Sequence, residues 1–102
     1  MDAIDIKKLE SIFTESGTRL AYLFGSQANG SAMPHSDVDI AVLLSDDLSK
    51  EERFEIRLHL MGKLAKIFHA TIDLIVLNDT SSLFFKYAII TEGTCIFSEQ
   101  NH

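Results

Sequence analysis

Hydrophobic positions recur along the chain in two rhythms. Between residues 2 and 16, Ile6, Leu9, Ile12 and Phe13 are spaced by three and four, which predicts an amphipathic first helix with Gly17 as its C-terminal cap. Residues 19–24 and 38–44 are short aliphatic runs of strand length, and both read as buried strands. The segment between them, 25–36, is small and polar: a loop with room for one helical turn. Ser49 followed by Glu52 has the capping-box form and precedes Phe54, Leu58, Met61, Ala65 and Phe68 at helical spacing, so the longest helix is predicted over 50–69. A third strand is expected at 71–77. A further helix follows at 81–91, with Leu83, Phe84, Tyr87 and Ala88 on one face and Gly93 as its cap, and a short closing strand at 94–98. Helices alternating with strands define an α/β fold class, a small sheet covered by helices. With no internal repeat and no linker, residues 1–98 are expected to form a single domain and 99–102 a frayed tail.

Composition narrows the function classes. The chain has 102 residues, 46% apolar and 24% charged. Domains of this size bury roughly 60–70% of their unfolded surface, enough for a core but leaving no length for a second substrate-binding domain. The longest apolar runs, 20–24 and 40–44, fall far short of the roughly 20 residues of a membrane span. Asp2 and Asp5 stand where a secretory signal would carry positive charge, and the lone Cys95 suits a reducing compartment, so a cytoplasmic protein is expected. The net charge of −6 is spread over both halves without a basic stripe, which argues against long nucleic acid as a partner. Nucleotides remain open, since a metal ion and a few backbone amides hold one without a positive surface.

Three features converge on such a ligand. Gly25 and Ser26 follow a strand at the point where backbone amides are free to receive phosphate oxygens, and the serine hydroxyl adds a donor. Ten residues later Asp37 and Asp39 stand at the head of the next strand, where a two-residue repeat puts both carboxylates on one face. Asp73, at the head of the third strand, is placed to join them. Like charges about 4 Å apart repel by roughly 1–4 kcal/mol per pair, and a divalent ion removes that penalty. Mg²⁺, or Mn²⁺ in its place, is the cation this oxygen set suits, and two such ions activate a hydroxyl and stabilise a leaving oxygen. Gly-Ser alone is most often only a turn, and each acid alone a solvated strand end. Together, Gly-Ser and Asp-x-Asp at this spacing arise by chance in about one unrelated chain of this length per thousand.

The same residues carry a family resemblance. The blocks running from Leu20 through Phe24, Gly25 and Ser26, from Ser36 through Asp37 and Asp39 to Leu43, then Ile72, Asp73 and Leu74, and finally Tyr87 to Gly93 resemble the minimal nucleotidyltransferases of the DNA polymerase beta superfamily. These are the type paired with HEPN proteins as antitoxins. The resemblance implies a polymerase-beta-like fold, a small mixed sheet with flanking helices. It implies that Gly25 and Ser26 hold the triphosphate of ATP, that Asp37 and Asp39 bind two metal ions, and that Asp73 completes the site beside the acceptor hydroxyl. It further implies transfer of AMP to a tyrosine of a partner HEPN toxin, the chain acting as antitoxin. Where many relatives carry arginines after the Gly-Ser pair, this chain has Gln27 and Asn29, so charge support for the triphosphate is expected from Arg53, Arg57 or a partner.

Two other readings compete with protein adenylylation. One is an antitoxin that neutralises its partner by covering it, which Gln27 and Asn29 favour slightly. The other is transfer to a small hydroxylated molecule. Other chemistry is set aside: His35, His59 and His69 form no metal-ligand pattern, and Ser26 lacks a nucleophile-elbow context. Phe84, Phe85 and Tyr87 read first as core, although their helix is the segment most suited to offer apolar surface to a partner.

Overall fold

A computed structural model of the chain describes residues 3–24 and 37–99. Helix α1 spans Ala3–Glu15 and ends at Gly17, whose φ of 76° is the left-handed conformation that glycine adopts without strain. Strand β1 spans Thr18–Phe24 and β2 Val38–Leu44. Helix α2, Lys50–Phe68, opens with the expected capping box: the Ser49 hydroxyl accepts from the Glu52 amide at 3.1 Å, and the Ser49 amide donates to the Glu52 carboxylate at 2.8 Å. Strand β3, Ile72–Val76, runs into a 3₁₀ turn, Leu77–Asp79; helix α3 spans Leu83–Glu92 and strand β4 Thr94–Ser98.

The sheet order is β3-β2-β1-β4, with β1 antiparallel to both neighbours and β2 parallel to β3. This is the mixed sheet expected. Strand alternation divides β2 between two faces. Val38, Ile40, Val42 and Leu44 pack with Leu9 and Phe13 of α1 and Leu60 and Leu64 of α2, forming the main core. On the opposite face Ala41 packs with Leu77 and Ile89, bringing α3 over Tyr22, Phe24 and Leu43. The far end of β2 is closed by Asn78, whose side chain accepts from the Leu44 amide at 2.8 Å and donates to the Leu44 carbonyl at 2.9 Å, continuing the pairing beyond β3.

Two expectations about helix faces are corrected, and one residue of the expected tail is placed. On α2, Phe54 and Leu58 are exposed, while Leu60 and Leu64 are buried with Ile56, Ile67 and Phe68 packed against the core. Two apolar series interleave on this helix, and the one carrying Ile56, Leu60, Leu64 and Ile67 meets the sheet. The Arg57 guanidinium flanks that contact, donating to the Leu74 carbonyl at 3.0 Å. On α3, the face with Leu83, Phe84 and Tyr87 is turned to solvent, and Ile89 and Phe85 supply the contact with the sheet. Glu99, placed in a terminal tail by the sequence, is held to β1: its amide donates to the Arg19 carbonyl at 2.8 Å, and its carboxylate accepts from Arg19 Nε at 2.9 Å. Among the described residues, no helix is long and apolar enough to cross a membrane.

Gly93 caps α3 through lack of volume. Its φ of −81° is open to any residue, but a Cβ would lie 2.6 Å from the Ile89 carbonyl oxygen and 3.1 Å from that of Leu23. Gly62, inside α2, has nothing within 4 Å of a Cβ position. Substitution by alanine therefore has opposite signs at the two sites. Gly93→Ala is expected to lower unfolding stability by about 1–3 kcal/mol through overpacking, and Gly62→Ala to raise it by about 0.5–1 kcal/mol through helix propensity. Urea titrations of the two variants check this.

Candidate active site

The parallel register of β2 and β3 sets Asp39 directly opposite Asp73, and the Val38 amide donates to the Thr71 carbonyl at 2.9 Å, locking the two strand heads together. Neighbouring strands lie about 4.8 Å apart, so side chains in register on one face must meet. Both aspartates sit on the α3 side of the sheet, because Val38 and Ile40, Ile72 and Leu74 point into the main core. Asp39 is half-buried; Asp73 and Asp37 are exposed.

Electrostatics reflects that placement. Loss of hydration pushes the Asp39 carboxyl above its ordinary range, the negative charge of Asp73 and a hydrogen bond with it push it further, and Asp37 adds a smaller repulsion. The three ion pairs found among the described residues go to Asp46, Asp79 and Glu99, not to this pair. The sequence leads one to expect three clustered acids. The structure brings two together, with Asp37 just ahead of them at the head of β2, and among the described residues no three side chains of ligating type form a ready metal cluster. Even so, the donors suit a hard divalent cation: facing carboxylates, one half-buried and resisting ionisation, are the oxygen ligands such an ion binds.

Phe24, at the end of β1, pairs with Asp39 in the antiparallel register, and the described chain resumes at Asp37. Gly25 and Ser26, and with them Gln27, Asn29 and His35, lie outside the described residues. The two arginines considered for phosphate support are engaged elsewhere. Arg53 holds Asp79 at 2.7 Å and the Leu48 carbonyl at 2.9 Å, and Arg57 holds the Leu74 carbonyl. A concavity of about 1120 Å³ lies near Arg19, Asp46 and Glu99. It is at the opposite end of β2 from Asp39, and its acidic lining repels phosphate. On the same side of the sheet, α3 exposes Leu83, Phe84, Tyr87 and Ile90 at 77%, 84%, 68% and 49%.

Comparison with known proteins shows the family. The profile of the family described as polymerase beta, nucleotidyltransferase, matches residues 7–102. The chain belongs to that family. It is similar to the protein adenylyltransferase MntA of Shewanella oneidensis, with 35% identity over 82 residues, which is 80% of this chain and 55% of that protein. The chain thus spans about half the length of this curated relative. Among solved structures it is similar to a toxin–antitoxin assembly with AMP-PNP, at 30% identity and a TM-score of 0.68, covering 93% of this chain and 74% of the matched one. It is also similar to a structure described as tri-AMPylated Shewanella oneidensis HEPN toxin in complex with MNT antitoxin, at 27% identity and a TM-score of 0.62, covering 98% and 75%.

The acid pair in this nucleotidyltransferase-family chain has a thermodynamic signature. A carboxyl whose pKa is raised by folding leaves stability intact below its unfolded pKa, and stability is lost as pH rises through the folded value. In EDTA, Asp39→Asn should therefore melt with the parent at acid pH and above it at neutral pH, by roughly 4–8 °C for about 1 kcal/mol of relieved repulsion. Added Mg²⁺ should raise the parent more than the variant, because only ligand bound to the native state adds stability. Thermal melts across pH, with EDTA or Mg²⁺, measure both effects.

Proposed function

We propose that the chain is a Mg²⁺-dependent nucleotidyltransferase of the cytoplasm that moves AMP from ATP onto a tyrosine hydroxyl of a HEPN-type toxin, and so acts as an antitoxin. The observation that carries this reading is the in-register Asp39 and Asp73 pair, on the same side of the sheet as the exposed apolar residues of α3. The name of the Shewanella relative and the AMPylated toxin in the similar assembly support the same acceptor class.

In this reading Asp37 and Asp39 hold Mg²⁺ with Asp73 completing the set, while Gly25 and Ser26 receive the triphosphate. Bound Mg²⁺ supplies charge neutralisation for the phosphates and acidifies the attacking hydroxyl. The residues of the chain position the reaction. The acceptor oxygen attacks the α-phosphorus in line, the new O–P bond forms as the bond to the β-phosphate bridging oxygen breaks, and pyrophosphate departs. Asp73, the exposed member of the pair, orients the hydroxyl and takes its proton. The apolar residues of α3 dock the acceptor protein beside the acids, where the buried core of an interface excludes water.

A second reading, inhibition by coverage alone, is favoured by that same apolar face, which binds a partner with or without catalysis. Purified complex incubated with labelled ATP and Mg²⁺ separates the two. Asp37→Asn and Asp39→Asn should each lower transfer at least about 100-fold while the fold persists, the scale expected when charge stabilisation of a phosphoryl-type transition state is removed. Mass spectrometry should find AMP on a partner tyrosine with the parent and none with the variants. An unmodified but still inhibited partner would overturn adenylylation and leave coverage standing. Phe84→Ser should preserve the melting temperature, since 84% of Phe84 is exposed, yet weaken partner capture by about tenfold or more, as truncation of a central aromatic anchor does.

A further inference from the structure

On the side of the sheet away from the acids, α1 and α2 enclose a shallow groove of about 640 Å³. Its apolar part comes from Ile4, Ile12 and Ile67, and Ile4 is 65% exposed. Lys7, Lys8, Lys63 and Lys66 line the same groove, four of the nine Lys and Arg residues of a chain whose net charge is −6. Asp5 is the lone carboxylate in this lining among the described residues. A positive, partly apolar groove on an acidic molecule is unexpected from composition alone. Charge and shape together say what fits it.

We infer that this groove docks an acidic amphipathic helix of a protein partner, at a site separate from the Asp39 and Asp73 face. The isoleucines provide an apolar strip between lysines contributed by both helices, which suits a helix with apolar residues at three and four and carboxylates on its flanks. The lining spans residues 4–12 of α1 and 63–69 of α2, about two helical turns at roughly 1.5 Å per residue. A nucleic-acid strand would meet the four ammonium groups but would set phosphates against isoleucine. A second copy of this chain related by a two-fold axis would bring lysines against lysines. The acidic helix alone answers both the charge and the apolar strip.

The full chain, ¹⁵N-labelled, provides the test. The probe is a synthetic 14-residue amphipathic Glu/Leu helix, and the comparison probes are a scrambled peptide of the same composition and a single-stranded oligonucleotide. Amide shifts should change at residues 4–12 and 63–69 with the amphipathic peptide. The K63E/K66E variant should bind it about tenfold more weakly, as expected for reversal of two charges at a partly desolvated rim, and the loss should shrink at high salt. K86E, on α3, should bind like the parent. The inference is overturned if shifts fall elsewhere, if K63E/K66E binds unchanged, if the scrambled peptide binds equally well, or if the oligonucleotide binds more tightly.

Discussion

Parallel pairing of β2 with β3 is the constraint on which the rest of the site depends. In register, it holds Asp39 against Asp73, an arrangement that two free carboxylates in water would avoid. The opposing term sits one residue away on the same strand. Val38, Ile40, Val42 and Leu44 are at most 3% exposed, and burying one such side chain is worth about 1.5–3 kcal/mol as an upper estimate. Four of them outweigh a like-charge pair of roughly 1–4 kcal/mol, so the strand cannot slip to relieve the acids without turning its aliphatic face to solvent. The clamp of Asn78 on Leu44 fixes the other end of the strand and leaves no slack in the register.

This explains which parts of the molecule were legible in the sequence. The strands and the acid positions follow from period two and from residue spacing, and period two is what the core enforces. Asp37, Asp39 and Asp73 could be singled out because their spacing from Gly25 and Ser26 made the combination rarer than any one of these residues alone. Helix faces were less legible. On α2, Phe54 and Leu58 belong to a series as regular as the one that carries Leu60 and Leu64, and only the sheet decides between them. On α3 nearly every position is apolar, so no periodicity separates Leu83 and Tyr87, which face solvent, from Phe85 and Ile89, which face the sheet. Gly93 read as a cap for the right position and the wrong reason, since the crowding of two carbonyl oxygens is a tertiary fact. The separation of Asp37 from the closer pair is likewise set by where β2 begins to pair with β3.

The two faces of the sheet are specialised in opposite senses. One is closed by α1 and α2 and holds nearly all of the large buried side chains. The other carries, among the described residues, a single helix over Ala41, and it holds the acids outside the main core. Functional groups on the open face can be ionised, bridged by a cation or covered by a partner while the closed face supplies the stability. The capping box on α2 belongs to that division, because it anchors the longest helix to the closed face independently of anything bound on the other side.

The exposed side of α3 has the same origin as the acids' openness. A helix over a small sheet has one face to bury, and α3 spends it on Ile89 and Phe85. The remaining apolar residues, Leu83, Phe84, Tyr87 and Ile90, gain nothing for the isolated fold and expose more contiguous apolar surface than scattered surface residues would. Helix propensity does not explain them, since aromatic residues form helices less readily than the Lys, Glu and Gln that commonly occupy solvent faces. Their retention on the edge of the open face is understandable if that face works against another macromolecule. The acids then lie on the same side of the sheet as that interface, where removal of water strengthens every charge interaction between them.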